Sequence, residues 1–287
     1  MQLLSQLFMA LVLHQSGAAS SRAMWTWHGG QLLAGSAARH DFFNFVRAPK
    51  GDASHPISVI FLGGVEVDKP DEKTALGNFI QECHQRGISV HFLCGDATWA
   101  EPAKESIGTG MVDEVLRFNA SSPPAKRFDG FQFDVEPYSL PDWKTPAVRA
   151  GFLDLLKLSK AAIASAKSDM QFGAAIPRWY DAPDLGGLHK QVIDRVDYVA
   201  VMDYVSSSKQ FVEDPANTVT YATLAGKKAW LGAEATELPT EPTATFYAKG
   251  NAAMEEAFAS AGRAYRSQSG FAGVAVEYYE TYAALRP

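Results

Sequence analysis

Phe128-Asp129-Gly130-Phe131-Gln132-Phe133-Asp134-Val135-Glu136-Pro137-Tyr138 alternates with a period of two residues, the mark of a β-strand. Phe131, Phe133 and Val135 fall on one face. Gln132, Asp134 and Glu136 fall on the other. The neighbouring segments read as buried parallel strands, so this polar face is expected to point into the protein interior. Buried carboxylates are costly unless they are paired or hydrogen-bonded. Asp134 and Glu136 are therefore a candidate site. The alternative is a solvated face of an edge strand.

Working outward, seven more apolar runs read as strands. They are Ala23–Trp27, Pro56–Leu62, Ile88–Cys94, Met170–Ile176, Val196–Met202, Lys228–Glu234 and Phe271–Glu277. Helical patterns separate most of them: Pro70 to Gly87, Met111 to Phe118, Thr145 to Lys167, Asp184 to Asp194, a weak one near Tyr221, and Thr245 to Arg266. Eight strands alternating with helices predict a single (β/α)8 barrel over residues 23–287. An open doubly wound sheet is the alternative. It would usually carry a glycine-rich phosphate loop after its first strand, and His28-Gly29-Gly30 is not one.

Composition narrows the partners. The net charge is -6 with no cluster of Lys or Arg, which argues against nucleic acid and anionic membranes. Leu7 to Leu13 is apolar and is followed by Gly17-Ala18-Ala19-Ser20. Residues 1–22 thus read as a signal peptide or leader, which predicts a secreted or periplasmic protein. The run is too short to span a membrane, and no membrane insertion is expected. Cys83 and Cys94 sit in no metal-binding pattern and read as free thiols, with a disulfide as the alternative in a secreted setting.

In (β/α)8 barrels function collects at the C-terminal ends of the strands. Here those ends supply Trp27, Gly64, Asp96, Glu136, Trp179, Asp203, Tyr204, Glu234 and Glu277. Carboxylates can act as acid, base or nucleophile at a glycosidic bond. Aromatic faces stack on sugar rings, and Tyr138 and Trp143 could wall a subsite. There is no phosphate cradle and no Ser-His-Asp set. His28 and His91 stand alone, so no cofactor is implied; a metal bound by carboxylates is the remaining alternative.

At these residues the chain resembles the family 18 glycoside hydrolases, the chitinase-like barrels. Phe128 to Glu136 is similar to that family's DGxDxDxE strand, and Val196 to Tyr204 resembles its sixth strand, which ends in Met-x-Tyr-Asp. The resemblance implies a glycan substrate. It makes Glu136 the general acid that protonates the leaving oxygen. Asp134 would orient the substrate's acetamido group, which attacks the anomeric carbon, and Tyr204 would hydrogen-bond that group. With a rise of about 3.3 Å per residue, Asp134 and Glu136 stand roughly 6.6 Å apart on one face.

Three positions depart from the pattern. Gln132 replaces the middle Asp, Val205 replaces the Asp after Tyr204, and Glu277 stands where the family places a Trp beneath the sugar. Gln132, Tyr138, Trp179, Tyr204, Glu234, Glu277 and Trp27 are the expected substrate contacts. Two other readings use the same scaffold. One is a carbohydrate-binding barrel without catalysis. The other is a retaining glycosidase whose acid/base is Glu136 and whose nucleophile is Glu234, which requires carboxyls about 5–5.5 Å apart. Asp203 is expected to point outward, with a loop or capping role, unless a bulge turns it.

Overall fold

Short apolar runs bounded by glycine, proline and polar residues close into a barrel of parallel strands. The computed structural model describes residues 21–287. Its strands are β1 (Ser21–Thr26), β2 (Ile57–Leu62), β3 (Ser89–Cys94), β4 (Gly130–Phe133), β5 (Gln171–Pro177), β6 (Tyr198–Met202), β7 (Lys228–Glu234) and β8 (Phe271–Glu277). They pair in sequence order, and β8 closes against β1. The fold is a (β/α)8 barrel, as the alternation predicts.

The main outer helices are α1 (Gly29–Ala34), α2 (Ser36–Arg47), α3 (Pro70–Gln85), α4 (Glu105–Ala120), α5 (Pro146–Ser165), α6 (Leu188–Ile193), α7 (Gln210–Glu213), α8 (Ala216–Leu224), α9 (Asn251–Tyr265) and α10 (Tyr279–Ala284). No described helix is long and apolar enough to cross a membrane. The expected leader lies on residues 1–20, outside the described residues. Ser21 and Arg22, which that expectation also took in, belong to β1. There the buried Arg22 guanidinium forks onto Glu255 at 2.9 and 2.7 Å.

The alternation of the opening strand sorts side chains as read. Phe131, Phe133 and Val135 pack outward among the helices, with Phe172 and Phe92 against the rings. Inward-facing residues form a second cluster: Ala23, Trp25, Phe61, Leu93, Tyr198, Ala200, Trp230 and Ala275. Gln132 lies among them, wholly buried, and accepts a hydrogen bond from Trp25 Nε1 at 2.7 Å. It therefore props the barrel filling two residues below Asp134, away from any open cleft. Gly173 makes room for this filling, because a Cβ there would stand 2.1 Å from the Tyr198 ring. Cys83 and Cys94 are free. Burial raises the pKa of both thiols, which keeps them unreactive.

Candidate active site

β4 ends at Phe133, so Asp134 and Glu136 stand just past the strand, at the mouth. Asp134 is still fastened to the sheet, its N–H donating to Cys94 O at 2.9 Å. The close approach needs Gly95, where a Cβ would meet Asp134 O at 1.8 Å. Gly95→Ala is expected to push Asp134 out of place and lower glycan turnover at least about tenfold, since an ångström of misplacement is that costly. Gly110→Ala has nothing within 4 Å and serves as the neutral control in the same assay.

Asp134 is partly buried. Its Oδ1 is fully enclosed and has no hydrogen-bond partner. Burial, and then the charge of Glu136, push its pKa up to about 7. Glu136 accepts a hydrogen bond from Tyr138 OH at 2.5 Å. Among the described residues no Lys or Arg pairs with it. Arg178 lies on the same cleft, yet its Nη1 donates to Asp214 at 2.6 Å.

Three other expected residues stand at the same end of the barrel, and of them only Tyr204 lines the cleft that Glu136 opens on. Glu277 accepts from Trp27 Nε1 at 2.6 Å. Burial raises its pKa well above the carboxylic range against that bond, with the charges of Glu234, Asp134 and Glu136 adding to the shift. Glu234 is 7% exposed, and its Oε1 accepts the Thr236 N–H at 2.6 Å. Burial raises its pKa too, opposed by Thr236. Tyr204 sits among them: burial raises its phenol strongly, followed by the charges of Glu277, Glu234 and Asp134.

Glu136, Tyr138, Arg178, Trp179, Met202 and Tyr204 line an open cleft of about 570 Å³, whose far wall is Leu238 and residues 240–244. Trp179 is 36% exposed. Its ring is propped edge-on by Tyr138 at 5.2 Å and Trp143 at 5.4 Å. That leaves indole surface for a sugar ring to stack on. A larger hollow of about 960 Å³ lies at the start of β1 and along α9, and it holds none of the strand-end carboxyls. The wall around Leu238 was not foreseen. Pro239 and Pro242 mark a loop, but only the closed barrel folds it over the ends of β5 and β6.

Asp203, expected in a loop or capping role, caps nothing. It is wholly buried, and neither carboxyl oxygen has a hydrogen-bond partner. Burial, and then the charge of Asp214, push its pKa up to about 8, with Arg178 opposing. The unfolded chain gives an Asp a pKa of about 3.9, so the folded protein holds the proton more tightly. Stability therefore falls as pH rises from about 4 to about 8 and levels off above. Asp203→Asn removes this penalty. Urea melts should find the variant more stable than wild type at pH 9 by about 5 kcal/mol and little different near pH 4.

No family model matches the sequence, and neither does any curated protein. Solved structures do resemble the fold. A family 18 chitinase from Pseudoalteromonas aurantia superposes with a TM-score of 0.61 at 12% identity, over 92% of this chain and 98% of that one. A family 18 N-acetylglucosaminidase from Paenibacillus barengoltzii gives 0.57 at 12% identity, over 91% and 96%. Chitinase ICChI from Ipomoea carnea gives 0.53 at 14%, over 92% and 95%.

The fold resembles the barrels of these three proteins. The likeness covers nearly the whole chain rather than the two strands that carried the sequence resemblance. At 12–14% identity it speaks for the architecture, and the residues at the mouth have to carry the chemistry by themselves.

Proposed function

We propose that this protein hydrolyses O-glycosidic bonds of a glycan, with Glu136 as the general acid. The observation that carries the proposal is the state of Glu136. It stands at the edge of an open cleft, oriented by Tyr138 OH and paired with no cation, while Arg178 is bound to Asp214. A carboxyl so placed can give its proton to a leaving oxygen and take it back from water.

Asp134, its pKa pushed up to about 7 by burial and then by the charge of Glu136, stands beside that acid. On an acetamido sugar it would hold the acetamido group for attack on the anomeric carbon, with Tyr204 as a second contact. Trp179 would stack on a neighbouring sugar ring. The retaining alternative, with Glu234 as nucleophile, is less favoured, because Glu234 is tied back to Thr236. A carbohydrate-binding barrel without catalysis is favoured by a locked Glu136, and Glu136 is not locked.

The test is a product assay by mass spectrometry on chitin oligomers, peptidoglycan fragments and neutral polysaccharides. Cleavage of one of these classes is the expected result. Binding without cleavage in every class would sustain the carbohydrate-binding reading instead.

A further inference from the structure

Tyr138 touches both parts of the cleft that the proposed reaction uses. Its hydroxyl donates to Glu136 Oε1 at 2.5 Å, and among the described residues this is the one hydrogen bond that the Glu136 carboxyl makes. Its ring meets Trp179 edge to face, with centroids 5.2 Å apart and planes at 70°. The same ring meets Tyr180, which is 1% exposed, at 6.3 Å and 89°. The backbone beneath it is equally set. Pro137 fixes φ at the start of the short turn Pro137–Ser139. Ser139 closes that turn on Glu136 O twice, through its N–H at 3.0 Å and its hydroxyl at 2.9 Å. The tyrosine ring therefore has few places to go, and the Glu136 carboxyl follows it. Trp179 is the freer partner, being 36% exposed on the cleft. A tyrosine that served only as a wall would leave its hydroxyl to water and Glu136 without a fixed direction.

We infer that Tyr138 is a positioning residue that ties the aim of the acid to the sugar on Trp179: a glycan long enough to cover the indole is cleaved with a higher kcat, beyond any gain in affinity. In the empty cleft the exposed indole and the ring against it can rock together, and Glu136 Oε1 is carried with them. A sugar stacked on the free indole surface holds Trp179 against Tyr138. The hydroxyl, and the carboxyl bonded to it, then keep one direction. Binding energy from a sugar remote from the scissile bond thus goes into orientation, which raises kcat rather than only lowering KM. Because an ångström of misplacement costs up to about a hundredfold, a modest gain in aim is worth about tenfold. This role rests on the hydrolase reading of Glu136, through which Tyr138 acts.

The test follows kcat and KM along a ladder of oligomers of the glycan found by product assay, from the disaccharide to the hexamer. Wild type is expected to show a step in kcat of at least about tenfold at the length that reaches Trp179. That length is the first at which Trp179→Ala raises KM. Tyr138→Phe keeps the ring that props the indole and removes the hydroxyl. It should flatten the step, lowering kcat of the long oligomers at least about tenfold with KM within about twofold of wild type, and affect the short ones much less. In the Glu136→Gln background Tyr138→Phe should lower kcat no further, since the bond then aims a group with no proton to give. If Tyr138→Phe does not fold, Trp179→Ala on the ladder decides, because the step has to vanish with the platform. No step in wild type, a step that survives Tyr138→Phe, a loss equal for short and long oligomers, or a further loss in the Glu136→Gln background overturns the inference. Absence of cleavage, or full turnover by Glu136→Gln, sinks the hydrolase reading and this role with it. Turnover that depends on Glu136, with a step indifferent to Tyr138, sinks this role alone.

Discussion

Glu136→Gln lowers turnover of the natural glycan at least about a hundredfold, with KM changed little. Gln has nearly the shape of Glu and still accepts the bond from Tyr138 OH, so the cleft and its aromatic wall persist. What it lacks is a proton to give. General acid catalysis is typically worth 10²- to 10⁴-fold, and an unprotonated alkoxide is a poor leaving group. Steady-state kinetics on the substrate found by product assay supplies the check. A loss confined to KM would mean that Glu136 binds rather than protonates.

Phe131→Ala destabilises the fold by about 3–5 kcal/mol. Phe131 is wholly buried on the outer side of β4. Its ring centroid lies 5.5 Å from Phe92, 4.8 Å from Phe133 and 6.2 Å from Phe172. Those neighbours belong to β3, β4 and β5 and cannot collapse into the space, so the cavity adds its own cost to the lost transfer energy. The same strand aims Asp134 and Glu136 into the mouth. Urea denaturation followed by tryptophan fluorescence should show a lower midpoint with an unchanged slope. A loss under about 1 kcal/mol would contradict this account of the packing.

The two predictions rest on opposite faces of one strand, and the sequence distinguished those faces well. Period-two alternation set Phe131 and Phe133 outward and Gln132 inward because a closed barrel has a fixed inside and outside. Strand order was legible for a similar reason: eight apolar runs spaced by helices admit few topologies. The helices Gly29–Ala34 and Ser36–Arg47 were not anticipated. The first is short, and neither gave a pattern strong enough to be read as a helix.

At the site, the sequence brought Glu136, Asp134, Tyr204, Glu234, Glu277 and Trp27 to one end of the barrel. It could not say that Gln132 would be enclosed against Trp25, because depth within the barrel depends on how eight strands stagger. It could not pair Arg178 with Asp214 or tie Glu136 to Tyr138, because loop conformations decide both. The orphaned Asp203 carboxyl was equally hidden. It is wholly buried, and the charges that act on it, those of Asp214 and Arg178, are brought near only by tertiary folding.

The most direct test of the central claim compares aryl glycosides of graded leaving-group acidity in wild type and Glu136→Gln. The sugar is the one identified by product assay. If Glu136 delivers the proton, the variant keeps much of its activity on a dinitrophenyl glycoside, whose phenolate leaves without help. It then loses progressively more as the leaving group becomes more basic, up to about a hundredfold or beyond. A loss of the same size for every leaving group would contradict the assignment and give Glu136 a role in binding or in holding the cleft together.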